Sequence, residues 1–119
     1  MKELDLKRRT KRFALDVIQF FEGLPKDEVS RVLGRQLLRS GTSVGANYRA
    51  AKRSKSNADF INKMGTVEEE ADESGYWIDL LVDSGRVNGA RAAALLQESG
   101  ELTAIAVASI NTARRGGRR

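Results

Sequence analysis

The chain has 119 residues, a single Pro, a formal net charge of +5, and neither Cys nor His. That length holds a domain with a real core and leaves no room for two ordinary ones. Without thiols or imidazoles there is no disulfide, no thiolate nucleophile, no zinc site of the usual kinds and no mechanism that turns on a histidine.

Few aromatics, little alternation of β-branched residues and an abundance of Ala, Leu, Arg and Glu predict an all-α fold. No apolar run approaches the roughly 20 residues needed to cross a bilayer, and "MKELDLKRRTKRF" has no apolar segment of a signal peptide, so a cytoplasmic protein with no membrane contact is expected. Charge is blocked along the chain. Residues 1–55 hold 14 Lys/Arg against 6 Asp/Glu, a net +8, residues 56–83 hold 1 against 8, a net −7, and residues 84–119 hold 6 against 2, a net +4. Such segregation implies internal pairing, an external partner, or both.

The pattern predicts four helices within one domain spanning 1–119, at about 5–23, 26–54, 56–83 and 88–114, with 115–119 as a flexible basic tail. Phe13, Val17, Phe20, Phe21 and Leu24 repeat on one face of the first helix. "GLPKDE" ends it, with Gly23 as the stop and Pro25 suited to the first turn of the next helix, where Asp27 and Glu28 favour the positive end of the dipole.

The second helix carries Val29, Leu33, Leu37, Val44, Tyr48 and Ala51 on one face. Its "RSGTSVGANYRAAKRSKS" stretch has the look of a phosphate loop, yet the helical period runs through it, no Walker-type Gly-Lys-Ser/Thr is present, and no buried strand precedes it. Gly41 and Gly45 instead stand one turn apart and leave a patch with almost no side-chain bulk, suited to close helix packing inside a bundle or between subunits.

Ser56 caps the third helix with Asp59 three residues on. Phe60, Met64, Val67, Ala71, Ser74, Ile78 and Leu81 then follow a strict heptad, the seam of a bundle. "DSGRVNG" closes it, and a fourth helix carries Leu95, Leu96, Leu102, Ile105, Ala106, Ser109 and Ile110, with Gly100 as a weak point. Helices two and three, near 30 residues each, would be ~45 Å long, and short connections make an up-down-up-down four-helix bundle the economical arrangement.

The acidic run "VEEEADES" is the place to look for carboxylate chemistry. Bundle di-iron sites require Glu-x-x-His, which a chain without histidine cannot supply, and magnesium is left as an unspecific alternative. Neither a metal nor another cofactor is expected, and no residue is assigned as catalytic. Glu70 and Glu73 are expected instead to pair with Arg49 and Arg53 as an antiparallel third helix returns past them. The other basic residues form outward groups: Lys7, Arg8, Arg9, Lys11 and Arg12 at the start of helix one, the ladder Arg31, Arg35 and Arg39 on helix two, and Arg114, Arg115, Arg118 and Arg119 at the C-terminus. That distribution suits phosphate backbones and carries no motif that reads bases.

The blocks "QLLRSGTSVGANYRAAKRSKSNADFINKM" and "EEEADESGYWIDLL" resemble the proteins encoded in intervening sequences of bacterial large-subunit rRNA genes. The family pattern is met at Arg39 to Ala51, Ser56 to Met64 and Glu70 to Leu81. Ala50 stands where the pattern has an acid, and Glu69 where it has a base. The resemblance implies a left-handed four-helix bundle, assembly as a homo-oligomer, in particular a homopentamer, and no enzymatic activity. It also extends, more distantly, to the accessory variability determinant of diversity-generating retroelements, a basic pentamer that binds nucleic acid and a reverse transcriptase. On this resemblance Asn47, Arg49, Arg53, Glu70 and Glu73 form a packing and register network, and Tyr76 and Trp77 pack at a helix edge or a subunit contact. The expectation is a non-enzymatic, oligomeric nucleic-acid-binding bundle, with a reverse transcriptase as a further possible partner. The alternative is an assembly module for an acidic protein.

Overall fold

A computed structural model describes residues 3–116, with side chains from Leu6 onward. Four helices, α1 (Glu3–Glu22), α2 (Glu28–Lys52), α3 (Asn57–Asp83) and α4 (Gly89–Arg114), form a bundle of 47 × 21 × 20 Å. Each packs on its neighbours in the chain, and α1 closes the square against α4 along a lighter seam. The direction alternates: Thr10 lies on Gly45 and Val17 on Gly41, Ser40 meets Ser74, and Asn57 at the start of α3 reaches Ala113 at the end of α4. Among the described residues there is no strand.

Each boundary has a local cause. The α2 N-cap is Asp27, whose carboxylate accepts the Ser30 N–H at 3.1 Å and the Ser30 hydroxyl at 2.6 Å. Pro25 therefore precedes the cap instead of occupying the first turn, and α2 begins two residues later than the charge pattern predicts. Ser56 caps α3 by accepting the Asp59 N–H at 3.0 Å. At the far end of α3, Gly85 takes φ +82°. This left-handed residue lets the Arg86 N–H return to the Leu81 carbonyl and its own N–H to that of Val82, the paired bonds of a Schellman stop.

The core runs the length of the bundle through Phe13, Val17, Leu37, Val44, Tyr48, Phe60, Met64, Ile78, Leu81 and Leu102, each no more than 2% exposed. Burial of a side chain of this size stabilises by roughly 1.5–3 kcal/mol. The first half of α2 differs from the sequence expectation: Val29 is exposed, Leu33 is half-buried, and Ser30 and Gly34 take the inner positions. The cause is bulk at the end of α1 and in the turn after it. A Cβ at Gly34 would lie 2.7 Å from Leu24 Cδ1 and 3.1 Å from Phe21, so this position admits the two large side chains only as glycine.

Farther along, a Cβ at Gly41 would sit 2.8 Å from Val17, and one at Gly45 3.2 Å from the Thr10 hydroxyl. The α1 and α2 backbones approach closely there, and the helix is continuous through both glycines. On the other side of α2, the hydroxyls of Ser40 and Ser74 lie 2.8 Å apart, both fully buried. Each hydroxyl also lies within hydrogen-bond reach of a carbonyl of its own helix, Leu37 and Glu70 respectively, so its one proton serves either the pair or that carbonyl. The pair favours this α2/α3 register, since a slip would lose the bond between the helices and leave each hydroxyl only its own carbonyl.

Candidate nucleic-acid interface

Antiparallel order brings four segments to one end of the bundle: the start of α1, the last turns of α2, the α2/α3 turn with the start of α3, and the last turns of α4. Cations converge there. Lys7, Arg8 and Lys11 on α1, Arg49 on α2 and Arg53 at its C-cap, Lys55 in the turn, and Arg114 and Arg115 at the end of α4 are all exposed. Arg49, Lys52 and Arg114 lie in the last turns of their helices, where a positive charge is favoured by the carbonyl end of the dipole.

Among the side chains described, acid is scarce at this end: from Val29 to Val67 the single acidic residue is Asp59, and none follows Glu101, while Glu3 and Asp5 at the start of α1 have side chains outside that set. Asp59 is engaged by Lys63, with Nζ 2.8 and 3.1 Å from its two oxygens. That ammonium, ahead of the local backbone and hydroxyl contacts, holds the carboxyl below its ordinary range.

Three of the cations predicted as free are instead committed. Arg9 spans the α1/α4 seam, donating to both Glu98 oxygens at 2.9 and 2.6 Å and to Glu101 at 2.9 Å. Glu98 is the main cause that keeps this guanidinium even more firmly protonated than usual. Gln97 and then Arg9 in turn lower the Glu101 carboxyl. Arg12 lies 3.6 Å from Asp16, one turn on.

Arg39 binds Glu70 at 3.2 Å and also Glu73, whose second role is to accept the indole N–H of Trp77 at 3.1 Å. The predicted ladder is therefore split. Arg31 and Arg35 are exposed but belong to the opposite half of the bundle, and Arg39 serves the α2/α3 contact. Arg118 and Arg119 lie outside the described residues.

The expected network of Asn47, Arg49, Arg53, Glu70 and Glu73 also takes another form. Asn47 donates to the Ser43 carbonyl at 2.9 Å within its own helix. Glu70 and Glu73 face Arg39, because the Ser40/Ser74 register puts that residue opposite them and leaves Arg49 about 15 Å farther along α2 at 1.5 Å per residue. Arg49 and Arg53 have no ion-pair partner among the described residues and stand in the basic end. A signal for this was available: both fall off the Leu37, Val44, Tyr48 and Ala51 stripe. Lys55, in the turn, lies on no helical face and had no periodicity to mark it.

Among the described residues no group of three or more acidic side chains is placed to hold a metal ion. No helix among them is long and apolar enough to cross a membrane. Glu70 and Glu73, one turn apart in the acidic run, are both engaged by Arg39.

The chain resembles a crystal structure described as a protein of unknown function from the S23 ribosomal protein family of Bacteroides thetaiotaomicron VPI-5482. The two share 33% identity and a TM-score of 0.87 over 94% of this chain and 100% of that one. No curated protein matches. The family model for the 23S rRNA-intervening sequence protein matches residues 2–108. Neither the family nor the structural relative is described as an enzyme. With its four-helix architecture and a match over nearly its whole length, the chain belongs to the 23S rRNA-intervening sequence protein family.

Proposed function

We propose that this protein binds nucleic acid, RNA foremost, by holding phosphates at the basic end of its bundle, and that it performs no chemistry there. The observation that carries this reading is the gathering of Lys7, Arg8, Lys11, Arg49, Arg53, Lys55, Arg114 and Arg115 from four separate segments. The nearby carboxylate of Asp59 is already taken by Lys63. Like charges brought together by folding raise the free energy of the isolated chain, and a polyanion relieves that repulsion while releasing its own counterions. The family description points to RNA as the polymer to test first.

Contacts to phosphate carry no sequence information, so recognition at this end is by charge and shape. If about six phosphates are engaged, affinity falls roughly a thousandfold between low and physiological salt. A homopentamer would repeat the basic end around a ring and convert weak single contacts into avid binding. The same surface would serve an accessory protein that carries RNA to a reverse transcriptase.

The test is the dissociation constant for an RNA and a DNA of equal length at two salt concentrations. Changing Arg53, Lys55 and Arg114 to Glu is expected to weaken binding to both and to lower the salt slope by about one for each phosphate no longer neutralised. Absence of binding at low salt, or a triple variant that binds as the parent does, refutes the reading.

A further inference from the structure

Two charged faces take no part in that interface. On α3, Glu69, Asp72, Tyr76 and Asp79 recur three and four residues apart on the side opposite the buried Val67, Ala71, Ser74 and Ile78. All four are exposed, Tyr76 by 56%. None of the three carboxylates has an ion-pair partner among the described residues, and together they put three like charges within about 15 Å of helix. On α2, Arg31 and Arg35 stand one turn apart, exposed and likewise without an ion-pair partner among the described residues, with Val32 beside them 47% exposed.

Each face supplies what the other lacks. Two guanidiniums next to an aliphatic side chain match carboxylates on either side of an aromatic ring, and planar guanidinium groups suit both carboxylates and ring faces. We infer that the outer face of α3 is a docking surface for a second copy of this chain, which places the Arg31, Val32 and Arg35 face of its α2 against Asp72, Tyr76 and Asp79. The inference rests on the reading of the chain as self-assembling and specifies which faces meet.

Because the two faces differ, the contact is heterologous: each copy offers one face and receives the other. They occupy neighbouring corners of the bundle, so repetition of the contact turns instead of running straight and is able to close a ring. Arg39 stays with Glu70 and Glu73 inside each copy, and the basic end is left open. Self-assembly and phosphate binding thus draw on different arginines.

The experiment is light-scattering mass of nuclease-treated full chain at tens of micromolar, for the parent, Arg31→Glu/Arg35→Glu, Asp72→Arg/Asp79→Arg, and all four changes together, with helicity checked by circular dichroism. The parent is expected to assemble. Each paired reversal places like charges face to face and raises the dissociation constant at least about tenfold, and the fourfold variant recovers the parent mass. An equimolar mixture of the two paired variants associates more strongly than either alone, since each then offers the charge the other needs, although strict alternation closes only an even-numbered ring and so does not restore a ring of five.

A monomeric parent overturns both this inference and the self-assembly reading. An assembled parent whose mass is unchanged by either reversal, or a fourfold variant that stays dissociated, overturns the choice of faces alone and leaves nucleic-acid binding to its own test. Should a reversal lose helicity, Arg31→Gln/Arg35→Gln probes the same contact, and an unchanged assembly there overturns it.

Discussion

Replacing Gly41 by Ala separates a glycine kept for space from one merely carried in a helix. In open helix the change is worth about 1 kcal/mol of added stability. At Gly41 the new methyl would lie 2.8 and 3.0 Å from the two γ carbons of Val17 and 3.2 Å from its Cβ. Val17 is fully buried and branched at Cβ, so it has no flexible end to swing aside. Overpacking of this kind costs about 1–3 kcal/mol, which outweighs the propensity gain and leaves a net loss of about 1 kcal/mol.

Gly100→Ala is the control, since a Cβ there meets nothing within 4 Å. It should gain the full propensity term, and the gap between the two variants isolates the packing cost. Urea midpoints read both, at unchanged slope. In a Val17→Ala background the two γ carbons are gone, and Gly41→Ala should turn from destabilising to stabilising. If Gly41→Ala stabilises the parent as much as Gly100→Ala does, the close approach of α1 and α2 is refuted.

Further outcomes follow from the polar pairs. Ser40→Ala and Ser74→Ala should each lose about 1 kcal/mol, and the double variant less than their sum, because both singles break the same hydroxyl pair; additive denaturation energies would contradict a shared bond. Arg39→Ala should cost at most about 1 kcal/mol, as expected of a half-exposed ion pair, and should leave RNA affinity unchanged; weaker RNA binding would return Arg39 to the interface. Asp27, held at about 2 by the Ser30 hydroxyl first and then by its N–H and by Arg86, has a folded pKa below its unfolded value near 3.9. Its stabilising effect is therefore complete above about pH 4 and lost as pH falls toward 2. Asp27→Asn should flatten the denaturation midpoint across that window, and an acid-limb slope identical to the parent would remove the cap from the account.

The all-α bundle is legible in the sequence because the buried stripes repeat without interruption, most plainly from Phe60 to Leu81, and because Ser56 and Asp59 mark a start by themselves. The inner face of early α2 is less legible. Val29 and Leu33 look like core, whereas Gly34 is chosen by Phe21 on α1 and Leu24 in the turn after it, information that no window of α2 contains. The polar pairings fail for a related reason. Arg49 lies as plausibly near Glu70 as Arg39 does until the register is known, and the register depends on two serines that read as ordinary small residues. Charge blocks in the sequence reveal that cations are abundant; only the alternating direction of the helices reveals that Arg53, Lys55 and Arg114 share an end.

The lighter seam between α1 and α4 bears on how the molecule is made. Arg9 reaching Glu98 and Glu101, and Arg91 lying over Phe20 with a bond to the Gly23 carbonyl, join positions 68–92 residues apart, while every other pair of touching helices is separated by one short turn. The first three helices can zip together as they leave the ribosome, each against the one just finished, and they then leave an apolar trough open where α4 will lie. Only the arrival of the fourth helix fills that trough and fastens both clasps, so synthesis stalled before residue 89 would present a chaperone with a sticky, half-built container.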